Sequence, residues 1–379
     1  MRAGGAGGHN GPVKILVIGG TGPTGTPIVR QLVDDGHTVT ILHRGTHERP
    51  ETPPEVEHIH ADPFDDASFR AAIAGTTWDV IAAMYGRLRR IAEATAGICG
   101  HFVSIGGVPA YRGWSDAWQF DPPGVPVPLG EDADLVNDPA IDEKGYRIVR
   151  TEQAVYAAHP RAAHFRYPYL YGPYQPTPRE WSIVRRIRDG RRRIVLADEG
   201  LTLHHHCYTR NAAAAVTRAI EHPELSSGTI FNVADEEVLT IRQVVELCAQ
   251  ELGAELEIVS MPYDLAIPAR PLLTQPLPTH RVLDLTRLHR QLGHRDLVPA
   301  REAVRHTARW YAENPLEYGG IEEKILTDPF DYAAEDALMD SWLAARASVK
   351  IPQFRLQPKW GMAYSGPQGR ARTQKEFVE

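Results

Sequence analysis

Three glycines, Gly19, Gly22 and Gly25, follow the apolar run Lys14–Ile18 at three-residue spacing, with Thr21, Pro23 and Thr24 between them. A strand that turns straight into a helix leaves backbone N–H groups unpaired and the positive end of the helix dipole facing outward, which is the chemistry of a pyrophosphate cradle. Glycine removes the side chains that would block the turn or the phosphate. Arg44 closes the second apolar run and offers two parallel N–H donors, which suit a 2′-phosphate that a carboxylate would repel, so NADP is expected over NAD. A third cluster is His204, His205 and His206. Neighbouring strand residues point to opposite faces, so only His204 and His206 could share a ligand sphere, and no nearby cysteine or carboxylate spacing completes a metal site. No metal is expected; the alternatives for these histidines are acid/base or substrate contact in a cleft, or packing in a strand.

The elements that must position these residues alternate. Strands are predicted at 13–19, 38–43, 56–60, 78–84 and 100–105, with helices at 23–35, 66–74 and 87–97, a pattern that gives an α/β, doubly wound parallel sheet with helices on both faces. A polar, proline-rich loop at 112–140 reads as a substrate-facing lid, followed by a helix near 143–158 and a strand at 162–167. The second half, with proline-rich connections at 168–178 and 262–279, short strands at 193–197, 203–208 and 229–233 and helices at 179–189, 210–221, 240–252 and 301–313, reads as a smaller mixed α/β lobe over the strand ends. The expected organisation is a flexible leader (1–12), a dinucleotide-binding domain (13–175), an interleaved substrate lobe (176–315) and a C-terminal extension (316–379) carrying a helix near 333–346.

Gly-Gly-Thr-Gly-x-x-Gly resembles the fingerprint of the extended, epimerase/dehydratase branch of the short-chain dehydrogenase/reductase family, whose dinucleotide domain is Rossmann-type. Arg166-Tyr-Pro-Tyr-Leu-Tyr-Gly172-Pro173 resembles that family's R-P-x-x-x-Y-G-P segment, and Arg281-Val-Leu-Asp284 through Leu292-Gly293 a later one, so that the resemblance spans about 13–315. It implies that Pro168 lies by the nicotinamide amide, that Met84 and Tyr85 line the ribose and nicotinamide side, and that Asp62 accepts from the adenine amino group; Asp62 is equally suited to cap the helix that follows it. The stretch from Pro178 to His206 is similar to an atypical subgroup that includes chloroplast stem-loop-binding proteins, several of which lack the usual catalytic residues.

That family works through a Tyr-x-x-x-Lys pair and a Ser or Thr. The lysine lowers the tyrosine pKa and the tyrosine exchanges a proton with the substrate oxygen. Two registers fit this chain. In one, Tyr146 is the acid/base and Arg150 its cationic partner, which keeps the charge but has a bulkier planar head; in the other, Glu152 aligns with a family glutamate and the pair falls on Lys144 and Ile148. Aligning Tyr111 with the family's Val-Tyr ending puts Gly106 and Gly107 where the hydroxyl belongs, which leaves Ser104 as the strand-end hydroxyl.

With 379 residues, 42% of them hydrophobic, the chain can bury a large core, and a net charge of −7 argues against nucleic acid as its main partner. Cys99, Cys207 and Cys248 are widely spaced, as suits a reducing cytoplasm. No apolar stretch reaches the ~18 residues that span a bilayer, and the glycine-rich leader lacks a signal-peptide core. The function expected is an NAD(P)-dependent epimerase, dehydratase or reductase acting on a hydroxyl- or keto-bearing small molecule, such as a sugar derivative, in a homodimer by analogy. The alternative is a catalytically degenerate NADP-binding sensor, scaffold or RNA-associated protein, for which Arg185, Arg186, Arg188 and Arg191–Arg193 could supply phosphate contacts.

Overall fold

A computed structural model describes residues 11–46, 48–84, 86–273 and 279–355. The first half runs β1 (Lys14–Ile18), α1 (Gly25–Asp34), β2 (Thr38–His43), β3 (Glu57–His60), α2 (Asp66–Ile73), β4 (Trp78–Ala83), α3 (Leu88–Thr95), β5 (Cys99–Gly107), α4 (Glu143–Ala158) and β6 (Ala163–Tyr167). The second half continues with β7 (Tyr169–Tyr171), α5 (Arg179–Arg188), β8 (Arg193–Ala197), β9 (His206–Tyr208), α6 (Thr209–Glu221), α7 (Pro223–Ser226), β10 (Ile230–Asn232), α8 (Ile241–Glu251), β11 (Glu257–Met261), α9 (Arg270–Leu273), α10 (Ala300–Glu313), α11 (Ile321–Leu326) and α12 (Tyr332–Ser348).

Seven strands form one parallel sheet in the order β10-β6-β5-β4-β1-β2-β3. Its central strands are apolar on both sides because helices cover both faces: Ile15, Leu16, Val17, Val80 and Ile81 are fully buried. The chain order reverses between β1 and β4, and a crevice at the carboxyl ends of such strands is where ligands bind. The doubly wound α/β architecture expected from the sequence is therefore present. Strand β10, from the second half, completes the main sheet, while β11-β8 and β7-β9 form two separate parallel pairs.

Residues through Tyr332 belong to one compact unit and Ala333 opens the second. Within the first unit, Glu323 accepts from Trp181 Nε1 at 2.7 Å and from Arg185 at 2.5 Å, while Asp328 takes Arg186 through two bonds of 2.6 and 3.1 Å. Two carboxylates thus strap the segment onto α5. The second unit contributes the remainder of α12, and the expected leader (1–12) and tail fall largely outside the described residues.

Candidate functional site

The glycine turn has two kinds of glycine. A Cβ on Gly25 would lie 2.7 Å from the carbonyl oxygen of Gly19, and Gly19 itself has φ +89°, so both are demanded by the strand-to-helix turn. Gly22 differs, since its added Cβ would meet nothing closer than Gly19 O at 3.7 Å. Space is kept there for something other than protein. Helix α1 begins without a side-chain cap or an acidic residue in its first turn, whereas α2, α4 and α8 are capped by Asp65, Asp142 and Thr240. A helix start without a side-chain cap and an open cradle fit a dinucleotide pyrophosphate.

Two cavities meet at this turn. The larger, about 710 Å³, runs from Gly19, Gly22, Pro23, Thr24 and Gly25 past Met84 to Gly106, Gly107 and Pro168, and on to Trp114, Ser115, Lys144, Ile148, Tyr169, Thr177, His204 and Arg281. The smaller, about 250 Å³, shares Gly19, Gly22 and Met84 and adds Thr21, His43, Arg44 and Phe64. Arg44 and Arg87 lie over the Phe64 ring at 5.9 and 4.3 Å, so two guanidinium groups gather at a residue that lines the smaller cavity. Asp62 lines neither cavity: its carboxylate accepts from the Phe64 amide at 3.0 Å, and Asp65 is the residue that caps α2. Tyr85 falls outside the described residues.

Helix α4 decides the chemistry of the inner end. Lys144 and Ile148 face the large cavity; Tyr146 and Arg150 are not among its lining residues. Tyr146 packs beside Ala110, Val136, Ile148 and Val149, and Arg150 donates to Gln153 Oε1 at 2.8 Å on the exposed side. The rotation of the helix follows from Gly145, where a Cβ would strike Pro109 O at 2.6 Å and Val136 Cγ2 at 2.7 Å. That close approach pins one face of α4 to the loop after β5 and leaves the neighbouring face, with Lys144 and Ile148, toward the cradle. The Tyr146–Arg150 register is thus not the one the fold presents to the cavity.

Ser104 also lies away from the cavity. It is fully buried, its Oγ 2.8 Å from His164 Nδ1, with His164 Nε2 3.3 Å from Glu152 Oε2. Glu152 in turn binds Arg166 through bonds of 2.9 and 2.6 Å. Burial holds His164 down to about 4, and the Arg166 guanidinium adds to that effect, so the imidazole is neutral at pH 7. This network also explains the glycine at the expected hydroxyl position: a Cβ on Gly106 would lie 2.4 Å from His164 Nε2.

The lining residues that were not singled out from the sequence as site residues include Arg281, Ser115 and Thr177. Arg281 is fully buried, donates from Nε to Trp114 O at 2.6 Å, and has no hydrogen-bond partner for Nη2 among the described residues. Burial brings it down to about 10, so it remains a cation beside the cavity. Ser115 and Thr177 supply hydroxyls. Of the three histidines, His204 lines the cavity, with Nδ1 3.2 Å from Leu273 O. His205 faces away and clips Asp235 O and the Leu283 amide, and His206 sits against Arg179. Tyr171, Tyr174 and Trp181 spend their polar atoms on Asp235, Glu51 and Glu323 as packing residues.

A sheet of this order, a glycine turn opening a helix and a crevice at the strand ends define the extended short-chain dehydrogenase/reductase fold. Residues 19–108 match the NAD(P)H-binding family model. The chain is 25% identical over 259 residues to the chloroplast stem-loop binding protein of 41 kDa b of Arabidopsis thaliana, the match covering 65% of each chain, so it spans just under two thirds of that relative's length. It is 27% identical over 260 residues to a 3-diazoavenalumate denitrifying reductase of Streptomyces, covering 64% of this chain and 82% of the relative. Among solved structures, UDP-glucose 4-epimerase of Thermotoga maritima superposes with a TM-score of 0.62 at 16% identity, covering 79% of this chain and 99% of the other. The chain thus has the epimerase/dehydratase fold, with an NAD(P)H-binding match over residues 19–108. No helix among the described residues is long and apolar enough to cross a membrane.

Proposed function

We propose that this chain is an NADP(H)-dependent reductase of small molecules that carry a keto or comparable acceptor group together with a negative charge. The observation that carries this reading is Lys144 at the cavity face of α4, with Ile148 one turn on. An epimerase or dehydratase must first remove a proton from a substrate hydroxyl. An ammonium group has three donors and no lone pair, so it suits the opposite direction, in which it donates to an oxygen that is gaining charge. The bound dinucleotide would supply the hydride. Lys144 is exposed, so a proton lost to the product oxygen returns from solvent.

Charge supports the choice of substrate and cofactor. Arg281 forms no ion pair among the described residues and leaves one donor unmatched beside a wall of Ile105, Val108, Trp114 and Leu170, which favours an apolar molecule with an anionic group. Arg44 and Arg87 flank the adenosine end, which favours a 2′-phosphate. The Streptomyces relative is a reductase by name.

The test is NADPH oxidation against a panel of carboxylated aryl ketones and enones. Wild type is expected to turn over at least one class, and Lys144→Met to lose about 10²-fold or more in kcat with NADPH affinity unchanged. Full turnover by Lys144→Met would overturn the assignment. A second reading, dinucleotide binding without turnover, is favoured by the missing tyrosine and strand-end hydroxyl; stoichiometric NADPH binding with no consumption of any acceptor would select it. An RNA-associated role draws no support from α5, where Arg185, Arg186 and Arg188 are bound to Glu323, Asp328 and Ala312 O.

A further inference from the structure

Four ligating side chains converge at the outer edge of the main sheet. The β2–β3 register pairs His43 with His60 and Ile41 with His58, so His43, His58 and His60 share one face. Glu48, from the connecting loop, reaches the same place. One ligand atom from each of the four lies within 4.8 Å of all the others. His43 Nε2 is 3.0 Å from His58 Nδ1, His60 Nε2 is 3.6 Å from Glu48 Oε1, and His58 Nδ1 is 4.0 Å from the same oxygen. A tetrahedral ion with bonds of about 2.0–2.1 Å keeps its ligand atoms about 3.3 Å apart, and the observed separations straddle that value.

The three imidazoles stand edge to face with centroids 4.9 to 6.1 Å apart. His58 and His60 are exposed, so no apolar cover accounts for gathering three bases here. The Gly45 amide donates to His43 Nδ1 at 3.1 Å, which places the proton of neutral His43 on Nε2, facing His58.

We propose that His43, Glu48, His58 and His60 form a binding site for one divalent transition-metal ion of the Zn²⁺, Co²⁺ or Ni²⁺ class. Imidazole ligands select these ions over Mg²⁺ or Ca²⁺. For His43 to ligate through Nε2, its proton moves to Nδ1 and the Gly45 amide bond is lost. His43 and Arg44 both line the adenosine cavity, so the ion would act on the segment that grips the dinucleotide. This inference does not depend on the reductase reading.

The experiment uses the full chain, stripped by a chelator and desalted, then titrated with Co²⁺, Zn²⁺ and, as a control, Mg²⁺. Wild type is expected to take one Co²⁺ per chain with the visible absorption of a tetrahedral complex, to exchange it for Zn²⁺, and to ignore Mg²⁺. His58→Ala/His60→Ala should weaken Zn²⁺ binding about 100-fold or more, with thermal unfolding little changed because the His60 side chain is mostly exposed and that of His58 only half-buried. Should the double variant unfold, His60→Ala alone is expected to lose the tetrahedral spectrum. Failure of wild type to bind Zn²⁺ at micromolar concentration, or wild-type affinity in the double variant, would overturn the proposal.

Discussion

Two constellations on neighbouring elements invite opposite conclusions. Ser104, His164 and Glu152 stand in the order of a nucleophilic triad, with separations of 2.8 and 3.3 Å, yet all three are buried and line neither of the two cavities at the glycine turn. Lys144 has no such network among the described residues, but it faces a cavity of about 710 Å³ that is continuous with the glycine cradle. The first set holds β5, β6 and α4 together and the second meets whatever enters. Short distances between reactive groups report cohesion as readily as chemistry, and access to a ligand separates the two.

The contrast is broken most severely at Glu152. Glu152→Ala leaves Arg166 and His164 buried without their carboxylate, and a loss of about 3–5 kcal/mol is expected, read as a large fall in the denaturant midpoint or as insoluble protein. Ser104→Ala should cost only about 1 kcal/mol in the same assay and leave NADPH binding untouched. If Ser104→Ala abolished turnover while the protein stayed folded, the structural reading of this network would fail.

The two glycine types give the next largest contrast. Gly25→Ala drives a Cβ into the Gly19 backbone and is expected to impair folding; Gly22→Ala meets open space and should unfold at the wild-type temperature while losing tenfold or more in dinucleotide affinity, about 1.4 kcal/mol. Titration by NADPH fluorescence together with a melting curve distinguishes the two.

A smaller effect concerns pH. His164, His205 and His294 are held to about 4 by burial, so the unfolded chain binds protons near 6.5 that the folded chain refuses. Their contribution to stability is present above 6.5 and is lost as pH falls toward 4. Glu221 and Asp296, raised to about 7, work in the other sense: their contribution is present at low pH and is lost as pH rises through 7. The imidazoles outnumber them, with His204 and His206 also well below their usual value, so the melting temperature should fall between pH 7 and pH 5. A melting temperature that rose over this interval would show that these rings take protons in the folded state.

The parallel sheet and the cradle were legible because their signals are local: apolar runs mark strands buried on both faces, and glycine spacing marks the turn. Strands β7 and β11 were missed. Tyr169–Tyr171 is bounded by Pro168 and Pro173, which read as a connection, and Glu257–Met261 is a short strand in a pair rather than in the main sheet. The register of α4 was undecidable from spacing, because Tyr146 and Lys144 sit two residues apart on one helix and either face could meet the cleft. What fixes it is the approach of Gly145 to Pro109 O and Val136, a tertiary contact with no sequence counterpart except the glycine itself. Arg185 and Arg186 likewise looked available for phosphate until Glu323 and Asp328, about 140 positions away, were seen to take them. The cluster at His43, His58 and His60 could have been found from the i, i+2 histidines of β3 had the β2–β3 pairing been laid out residue by residue.

The side chain that α4 turns toward the nicotinamide end is tested most directly by a crystal structure with NADP⁺ bound. Lys144 is expected to be the α4 side chain nearest nicotinamide C4, with Tyr146 still packed beside Ala110 and Val136. A rotated helix with the Tyr146 phenol over the ring and Lys144 in solvent would contradict the account.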